Sequence, residues 1–474
     1  MNPVLWTRAD AAAATGGRAQ GAKWTARGVV IDSRRIARGD LFVALPGDRV
    51  DGHDYVTAAL RAGAVAALVS RVPAGVENAP LLIVEDVLTA LADLGRAARA
   101  RATARIAAIT GSVGKTGSKE MLTAALTVLG PTHRSAGNLN NHIGAPLSLA
   151  RLPADAAFAV FELGMNHANE IRPLARMVRP HVALITNVEP VHAGYFDSVE
   201  AIADAKAEIL EGLEPGGTAV LNRDNPHFER LRAHAERLGV GRIVTFGSAD
   251  ECDARLLAVG QSGGTTVTAE IAGARHRWSV GGIGRHWAIN SLGVAATLHA
   301  LGVDLDTALP ALKGVSALRG RGGQVRLPVA DGRFTLIDES YNASPPAVRA
   351  ALTVFADAPT GPGGQRILVL GDMLELGSSA TAAHRGLADA VKAAAPDHVF
   401  LVGPEMAALR AALPSALVAG HAERSVDLAG AVAEAVGPGD VVLVKGSLGM
   451  AMKAVVEVLE TLGTATPKRV VNGR

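Results

Sequence analysis

Arg105-Ile106-Ala107-Ala108-Ile109-Thr110-Gly111-Ser112-Val113-Gly114-Lys115-Thr116 is the stretch of this 474-residue chain whose reading decides the fold. A short apolar run, Arg105 to Ile109, reads as a buried strand. It runs into a glycine-containing turn and then into a helix predicted over Lys119 to Leu129. Gly111 and Gly114 let the backbone turn its N–H groups inward, and the helix N-terminus adds positive potential for phosphate oxygens. Lys115 would reach the terminal phosphates of a nucleotide and the Thr116 hydroxyl would hold Mg²⁺. The general P-loop has glycine where Ile109 stands, so Thr110, Gly111, Ser112, Val113, Gly114, Lys115 and Thr116 form a variant of it. A plain glycine-rich turn would explain the glycines but not a lysine and a hydroxyl in this order.

Outward from that loop, short apolar runs alternate with Ala-rich helical stretches, the pattern of βαβ units around parallel sheets. Gly28 to Asp32 and Asp40 to Leu45 read as strands, and Ala58 to Ala62 and Val87 to Ala100 as helices. The Arg/Ala run that ends the last helix reads as a linker. Strands follow at Ala157 to Phe161 and Val182 to Thr186, and Thr265 to Val280 alternates as a small antiparallel insertion would. The glycines of Gly314 to Gly323 suggest a hinge. Beyond it, Phe334 to Ile337, Ile367 to Leu370 and Val441 to Val444 read as strands ending in polar turns, where doubly wound sheets bind ligands. The expectation is an α/β protein of three domains, 1–102, 103–317 and 318–474.

Composition narrows the classes. Half the residues are hydrophobic, as in a packed globular chain, and the net charge of +2 gives no basic stripe for nucleic acid. The single cysteine, Cys252, cannot form an internal disulfide, which fits a reducing compartment. No apolar run approaches the roughly 20 residues that span a bilayer. Met1 to Trp6 lacks the pattern of an export signal. A cytoplasmic protein without membrane insertion is expected.

Several residues carry chemistry. Glu162 ends the apolar run Phe158-Ala159-Val160-Phe161, where a carboxylate can meet a metal or nucleotide. His192 follows the strand at Val182 and its turn. Lys206 lies in a helix expected to run to about Leu213 from a capping box of Asp197 and Glu200. It falls four residues after Ile202 and four before Leu210, on the apolar face rather than the solvent face. A lysine held among apolar groups has a lowered pKa and a usable neutral amine. CO₂ can carbamylate such an amine into a metal-binding carboxylate. Asn138, Asn140 and Asn141 form an amide-rich loop that either makes turns or hydrogen-bonds a polar substrate. Asn290, at a turn-to-helix junction, can read an adenine edge. Arg321 is a candidate phosphate clamp. Asp338 and Asn342 follow a strand where an acidic group commonly takes ribose hydroxyls.

Taken in order, the loop from Thr110 to Thr116, then Glu162, His192, Lys206, Asn290, Arg321 and Asp338, resemble the Mur ligases, ATP-dependent amide ligases that build the bacterial wall precursor. Within that family Asp32-Ser33-Arg34, Gly39 to Gly47, Asp51-Gly52-His53, Asn138 to Gly144, Glu162 to Met165, Ser340 to Pro345, Leu370 to Gly377 and Lys445-Gly446-Ser447 resemble the branch that adds a dipeptide. The resemblance spans essentially the whole chain. It implies an N-terminal α/β domain for a UDP-linked substrate, a central P-loop parallel-sheet ATPase domain and a C-terminal Rossmann-like domain. The implied substrates are ATP, UDP-N-acetylmuramoyl-tripeptide and D-alanyl-D-alanine. Ser33, Arg34, Asp51, His53, the three asparagines and Lys445 would contact the peptide-bearing substrates. The implied metals are two Mg²⁺, one on Thr116 and Glu162, the other on His192 and a carbamylated Lys206. A monomer is expected.

The chain departs from the family pattern at Gly117, where a second hydroxyl is usual, and at Leu448, where an arginine is common. Glu339 and Ser344 are milder variations. Two rival readings remain at this point. One is another ligase of the superfamily, adding diaminopimelate or lysine, or glutamate to folate. The other is a P-loop NTPase acting on a protein partner.

Overall fold

The computed structural model describes residues 3–47, 50–190, 193–261, 264–316 and 319–463. Its centre is the strand Arg105–Thr110, which lies between the parallel strands Phe158–Glu162 and Val182–Ile185. Both faces of this strand are dry. Ile106 and Ala108 point into one apolar cluster, Ala107 and Ile109 into another. That two-sided burial is why its sequence is continuously apolar rather than alternating.

Nine strands make the central sheet. From one edge they run Thr132–Arg134, Phe158–Glu162, Arg105–Thr110, Val182–Ile185, Thr218–Asn222, Arg242–Gly247 and Ala254–Gln261, all parallel. Thr265–Ile271 and Ala274–Val280 follow antiparallel. The alternating stretch expected as a separate insertion is therefore the far edge of the main sheet. Its inward residues Val267, Ala269, Ile271, Trp278 and Val280 share the apolar cluster beneath the P-loop helix Lys115–Thr127.

A smaller sheet holds Gly28–Val30, Asp40–Val43, Ala66–Val69 and Leu81–Ile83 in parallel, edged by antiparallel Arg18–Gln20. The helix Val87–Arg101 leaves it with an Asp86 cap on Thr89 N. The Arg/Ala run at its end is helix, not linker. Every third or fourth residue (Val87, Ala90, Leu91, Leu94, Ala98) is buried. It packs against the helix Gly144–Ala150, and Arg99 Nε donates to Val178 O at 2.8 Å. Trp6 Nε1 donates to Ala150 O at 2.8 Å on the same seam.

The third sheet orders Gly323–Val329, Gly332–Glu339, Val441–Lys445, Arg366–Gly371, His398–Val402 and Val418–Ala422, parallel except for its first hairpin. Separate apolar clusters cover its two faces. Among the described residues no helix is long and apolar enough to cross a membrane.

His133, on the edge strand of the central sheet, packs on Phe161 with ring centroids 5.8 Å apart and is 2.8 Å from Ser148 O. Burial holds its imidazole down to about 4, from an ordinary 6.5. On acidification the unfolded chain takes a proton near 6.5 that the folded chain refuses until about 4. Its contribution is complete above 6.5 and lost as pH falls from there to about 4. Calorimetric melting temperatures across this window should fall more steeply for the native chain than for His133→Asn. Parallel profiles would assign the acid sensitivity to other groups.

Candidate active site at the carboxyl edge of the central sheet

The loop after Arg105–Thr110 is strapped to the turn after its neighbour strand. Ser112 N donates to Asn187 O and Val113 N to Asn187 Oδ1, both at 3.0 Å. Thr186 Oγ1 donates to Val113 O at 2.7 Å, and Ser112 Oγ exchanges hydrogen bonds with the Glu189 backbone. Gly111 has φ of +148°, and a Cβ there would fall 1.9 Å from Thr186 Oγ1. Gly114, at φ +85°, starts the helix, and a Cβ on it would fall 2.5 Å from Asn290 Nδ2. The expected loop and Asn290 thus lie side by side.

Lys115 folds back on its own loop, donating to Gly111 O at 2.6 Å and Ser112 O at 3.2 Å. Burial lowers its pKa first; Glu162 opposes that and Arg321 adds to it. Glu162 ends its strand in register with Ile109, beside the loop. Its Oε1 accepts from Asn140 Nδ2 at 2.8 Å, whereas Oε2 is buried with no hydrogen bond. Its nearest cation is the Lys119 ammonium at 3.7 Å, too long for a hydrogen bond, so this oxygen keeps acceptor capacity out of water. Thr116 is buried on the adjoining helical turn. Among the described residues no three His, Cys, Asp or Glu gather as metal ligands, so Glu162 and the Thr116 hydroxyl would form a mixed oxygen set, the type that suits Mg²⁺.

Lys206 is 2% exposed, and its ammonium has no hydrogen bond or ion pair among the described residues. Burial drives its pKa well down, and the Lys115 ammonium adds to the effect. The apolar-face reading of this lysine is therefore matched by the structure. The cap is different. Ser198 Oγ accepts from Ala201 N, so the helix is Val199–Ala207, and it tightens into a 3₁₀ turn over Glu208–Gly212. Asp197 lies one residue too early to reach that amide. His192 lies outside the described residues.

Lys119 was not singled out from sequence, yet it is fully buried here. Its Nζ donates to Gly137 O at 2.7 Å and lies 3.7 Å from Glu162 Oε2. A second lysine four residues after Lys115 falls on the same helix face, and that spacing was the available signal. Through Gly137 and Asn140 the amide-rich loop is tied to the P-loop helix and to Glu162. Asn141 Oδ1 accepts from Ile143 N and Gly144 N, so it makes the turn, while Asn138 is exposed.

The third domain faces this edge. Arg321 stacks on Tyr341, 3.9 Å from the ring centroid, and its charge is felt by Lys115 and Lys119. Gly194 N donates to Glu375 O at 2.8 Å across the gap. Asp338 is largely spent on backbone order. Its Oδ2 accepts from Gly320 N, and its Oδ1 from Ser340 N and Oγ. Asn342 Oδ1 accepts from Ala343 N. Lys445 is buried and donates to Glu339 Oε2 and Asn342 O, both at 3.0 Å. Ser447 Oγ accepts from Leu374 N. Asp338, Lys445 and Gly371 thereby converge at the strand ends of the third sheet.

In the first domain, Asp32 caps Arg34 N and pairs with its guanidinium, which lowers the carboxyl to about 2. Arg34 is exposed and Ser33 half-buried beside it. His53, expected to touch substrate, is enclosed instead. Its Nδ1 donates to Asp51 Oδ1 at 2.7 Å and its Nε2 accepts from Ser70 N at 3.0 Å. Both ring nitrogens are used to fold the loop, whereas Ser33, Arg34 and Asp51 keep a face toward solvent.

Three domain families of the Mur ligases match in sequence order: the Mur ligase family, catalytic domain over residues 25–99, the Mur ligase middle domain over 109–298, and the Mur ligase glutamate ligase domain over 325–448. The chain is 37% identical over 453 residues, 94% of its length, to the Escherichia coli UDP-N-acetylmuramoyl-tripeptide--D-alanyl-D-alanine ligase, covering 97% of that protein. The chain belongs to the Mur ligase family. This Mur ligase also superposes on MurF from Acinetobacter baumannii with a TM-score of 0.84 at 29% identity, covering 96% of this chain and 98% of that one. The Thermotoga maritima MurF ligase in complex with ADP gives a TM-score of 0.76 at 27% identity, with 92% and 98% covered.

Gly111→Ala in this Mur ligase should lower the melting temperature and weaken binding of a non-hydrolysable ATP analogue in calorimetric titration. Overpacking of this kind costs about 1–3 kcal/mol. Unchanged stability and affinity would show that the contact with Thr186 is loose.

Proposed function

We propose that the chain joins D-alanyl-D-alanine to UDP-N-acetylmuramoyl-tripeptide with ATP, through an acyl phosphate, in the cytoplasm and as a monomer. The observation that carries the reaction type is the gathering of half-buried Lys115 with buried Lys206 and Glu162 at the carboxyl edge of the central sheet. The substrates rest on the likeness to the Escherichia coli ligase along all three sheets. Residues 1–102 would hold the UDP-muramoyl part through Ser33, Arg34 and Asp51, residues 103–317 the nucleotide, and residues 318–474 the incoming dipeptide.

Free carboxylate is a poor acyl donor because oxide is a poor leaving group. The terminal carboxylate of the tripeptide attacks the γ-phosphorus of ATP, the bond to the bridging oxygen breaks, and ADP leaves. Two anions must approach each other for this, so the site has to supply positive charge before the reaction starts. Lys115 would exchange its loop carbonyls for phosphate oxygens, and Arg321 would close on them from the third domain. Mg²⁺ on Thr116 and Glu162 would neutralise charge on the phosphoryl oxygens. A second would sit on His192 and a carbamate of Lys206. The Lys206 amine, whose burial favours the neutral form, would add to CO₂ and release one proton, which turns a misplaced cation into a ligand. In the second step the dipeptide amine attacks the acyl carbon and phosphate leaves with the electron pair. Asn290 would take the adenine, Asp338 and Asn342 the ribose side, and Lys445 the loop that receives the dipeptide. Closure of the third domain about Gly320 and Gly322 would keep water from the acyl phosphate.

Phosphate release should require all three substrates together. Release without the dipeptide would remove the proposed acceptor, and release without either peptide would leave a plain NTPase. Lys206→Ala should lose most activity, at least about a hundredfold, as removal of an electrostatic group in a dry site does. Small carboxylic acids should restore part of it. Full activity without any added acid would mean that no carbamate takes part.

A further inference from the structure

Away from the nucleotide edge, the helices Val87–Arg101 and Ile171–Val178 flank an open cleft of about 550 Å³. That is the size of a small-molecule site. Its wall carries five guanidinium groups, from Arg96, Arg99, Arg172, Arg176 and Arg179, and no carboxylate. The balancing acids stand behind the wall. Glu214 Oε1 takes Arg99 Nη2 at 2.8 Å and Arg179 Nη2 at 2.7 Å. Glu211 Oε2 takes Arg172 Nε at 2.7 Å and Arg176 Nη2 at 3.0 Å. Asp93 pairs with Arg96, and Glu208 accepts from Arg172 N. Even with all four counted, a surplus of one positive charge remains, and none of the negative charge faces the space.

Arg99 makes this more than a solvated ion-pair face. Its side chain is 7% exposed, and its Nε and Nη2 are held by Val178 O, Arg179 O and Glu214. Its Nη1, among the described residues, carries no hydrogen bond, in a residue that lines the cleft. A buried guanidinium fixed at one edge and open at the other is a preset donor for an anion. Arg172 and Arg176 stand one helical turn apart on the opposite wall, and Arg96 one turn from Arg99. A single phosphate would fill a fraction of this volume and engage two of the five forks. A chain of phosphoryl groups would engage both walls.

We propose that this cleft between the first and central domains binds an oligophosphate anion, at a site separate from the P-loop. The seam it occupies is the one across which the two domains pack, so an occupant would cross-link them. The probe is inorganic triphosphate, titrated calorimetrically into the full chain with its P-loop saturated by a non-hydrolysable ATP analogue and Mg²⁺. One equivalent should bind, more weakly as salt rises. The double variant Arg96→Glu, Arg176→Glu, altering side chains 57% and 63% exposed, should bind it about tenfold more weakly or worse. The variant's unchanged affinity for the ATP analogue would report that it is folded. Guanosine diphosphate in place of triphosphate identifies the source. Tighter binding of the nucleotide places a base on Pro173 and Met177, and weaker binding leaves the phosphate chain alone as the ligand; either supports the site. No heat from either probe, or equal affinity in the double variant, would overturn it.

Discussion

Charge held out of water at the end of a parallel strand is the constraint from which the rest of this structure follows. Lys119, Lys206 and Glu162 are buried at or beside one strand edge, with Lys115 half-buried among them and Arg321 within reach of their field. Burying ions costs several kcal/mol each unless partners repay it, on the order of magnitude known for protein interiors. Two carboxylates, Glu162 and Glu120, do not offset three lysines and Arg321. The protein answers in three ways. Lys115 and Lys119 donate to backbone carbonyls, Lys119 also pairs with Glu162 and Glu120, and burial pushes the Lys206 ammonium toward its neutral form. Such an edge carries a positive surplus that suits polyanions.

The surrounding fold serves to keep that edge dry and fixed. Gly111 and Gly114 are glycines because Thr186 and Asn290 occupy the space a side chain would need. The turn at Asn187 holds the loop by its amide and carbonyl, so the phosphate cradle is braced by the next strand rather than by its own sequence. In the third domain the same economy appears at Asp338, whose oxygens order the Gly320 segment and carry Arg321 toward the P-loop.

Much of this was legible in the sequence wherever a local period decided it. The strand Arg105–Thr110, the third-domain strands and the helical face of Lys206 all follow from spacing of apolar residues. What failed were features decided by distant contacts. The Arg/Ala run after Leu94 reads as a linker because its buried face docks on another domain's helix. Thr265 to Val280 reads as an insertion because nothing local tells an antiparallel edge to join a parallel sheet. His53 was taken for a ligand-facing histidine, although Ser70, seventeen residues on, claims its second nitrogen. Lys119 escaped because a lysine beside a glutamate usually marks a solvated face.

The apolar cluster under the first sheet continues without a break through the helix Val87–Arg101 into the central sheet, from Leu5 and Trp6 to Leu231 and Ala235. The third sheet keeps two clusters of its own. The first and central domains thus share one apolar core, and the third has cores of its own. Cutting at the seam near Ala102 would strip apolar surface from both pieces, whereas the third domain already owns everything its core requires. Displacing the third domain divides none of these clusters, whereas displacing the first would divide the one it shares with the central sheet.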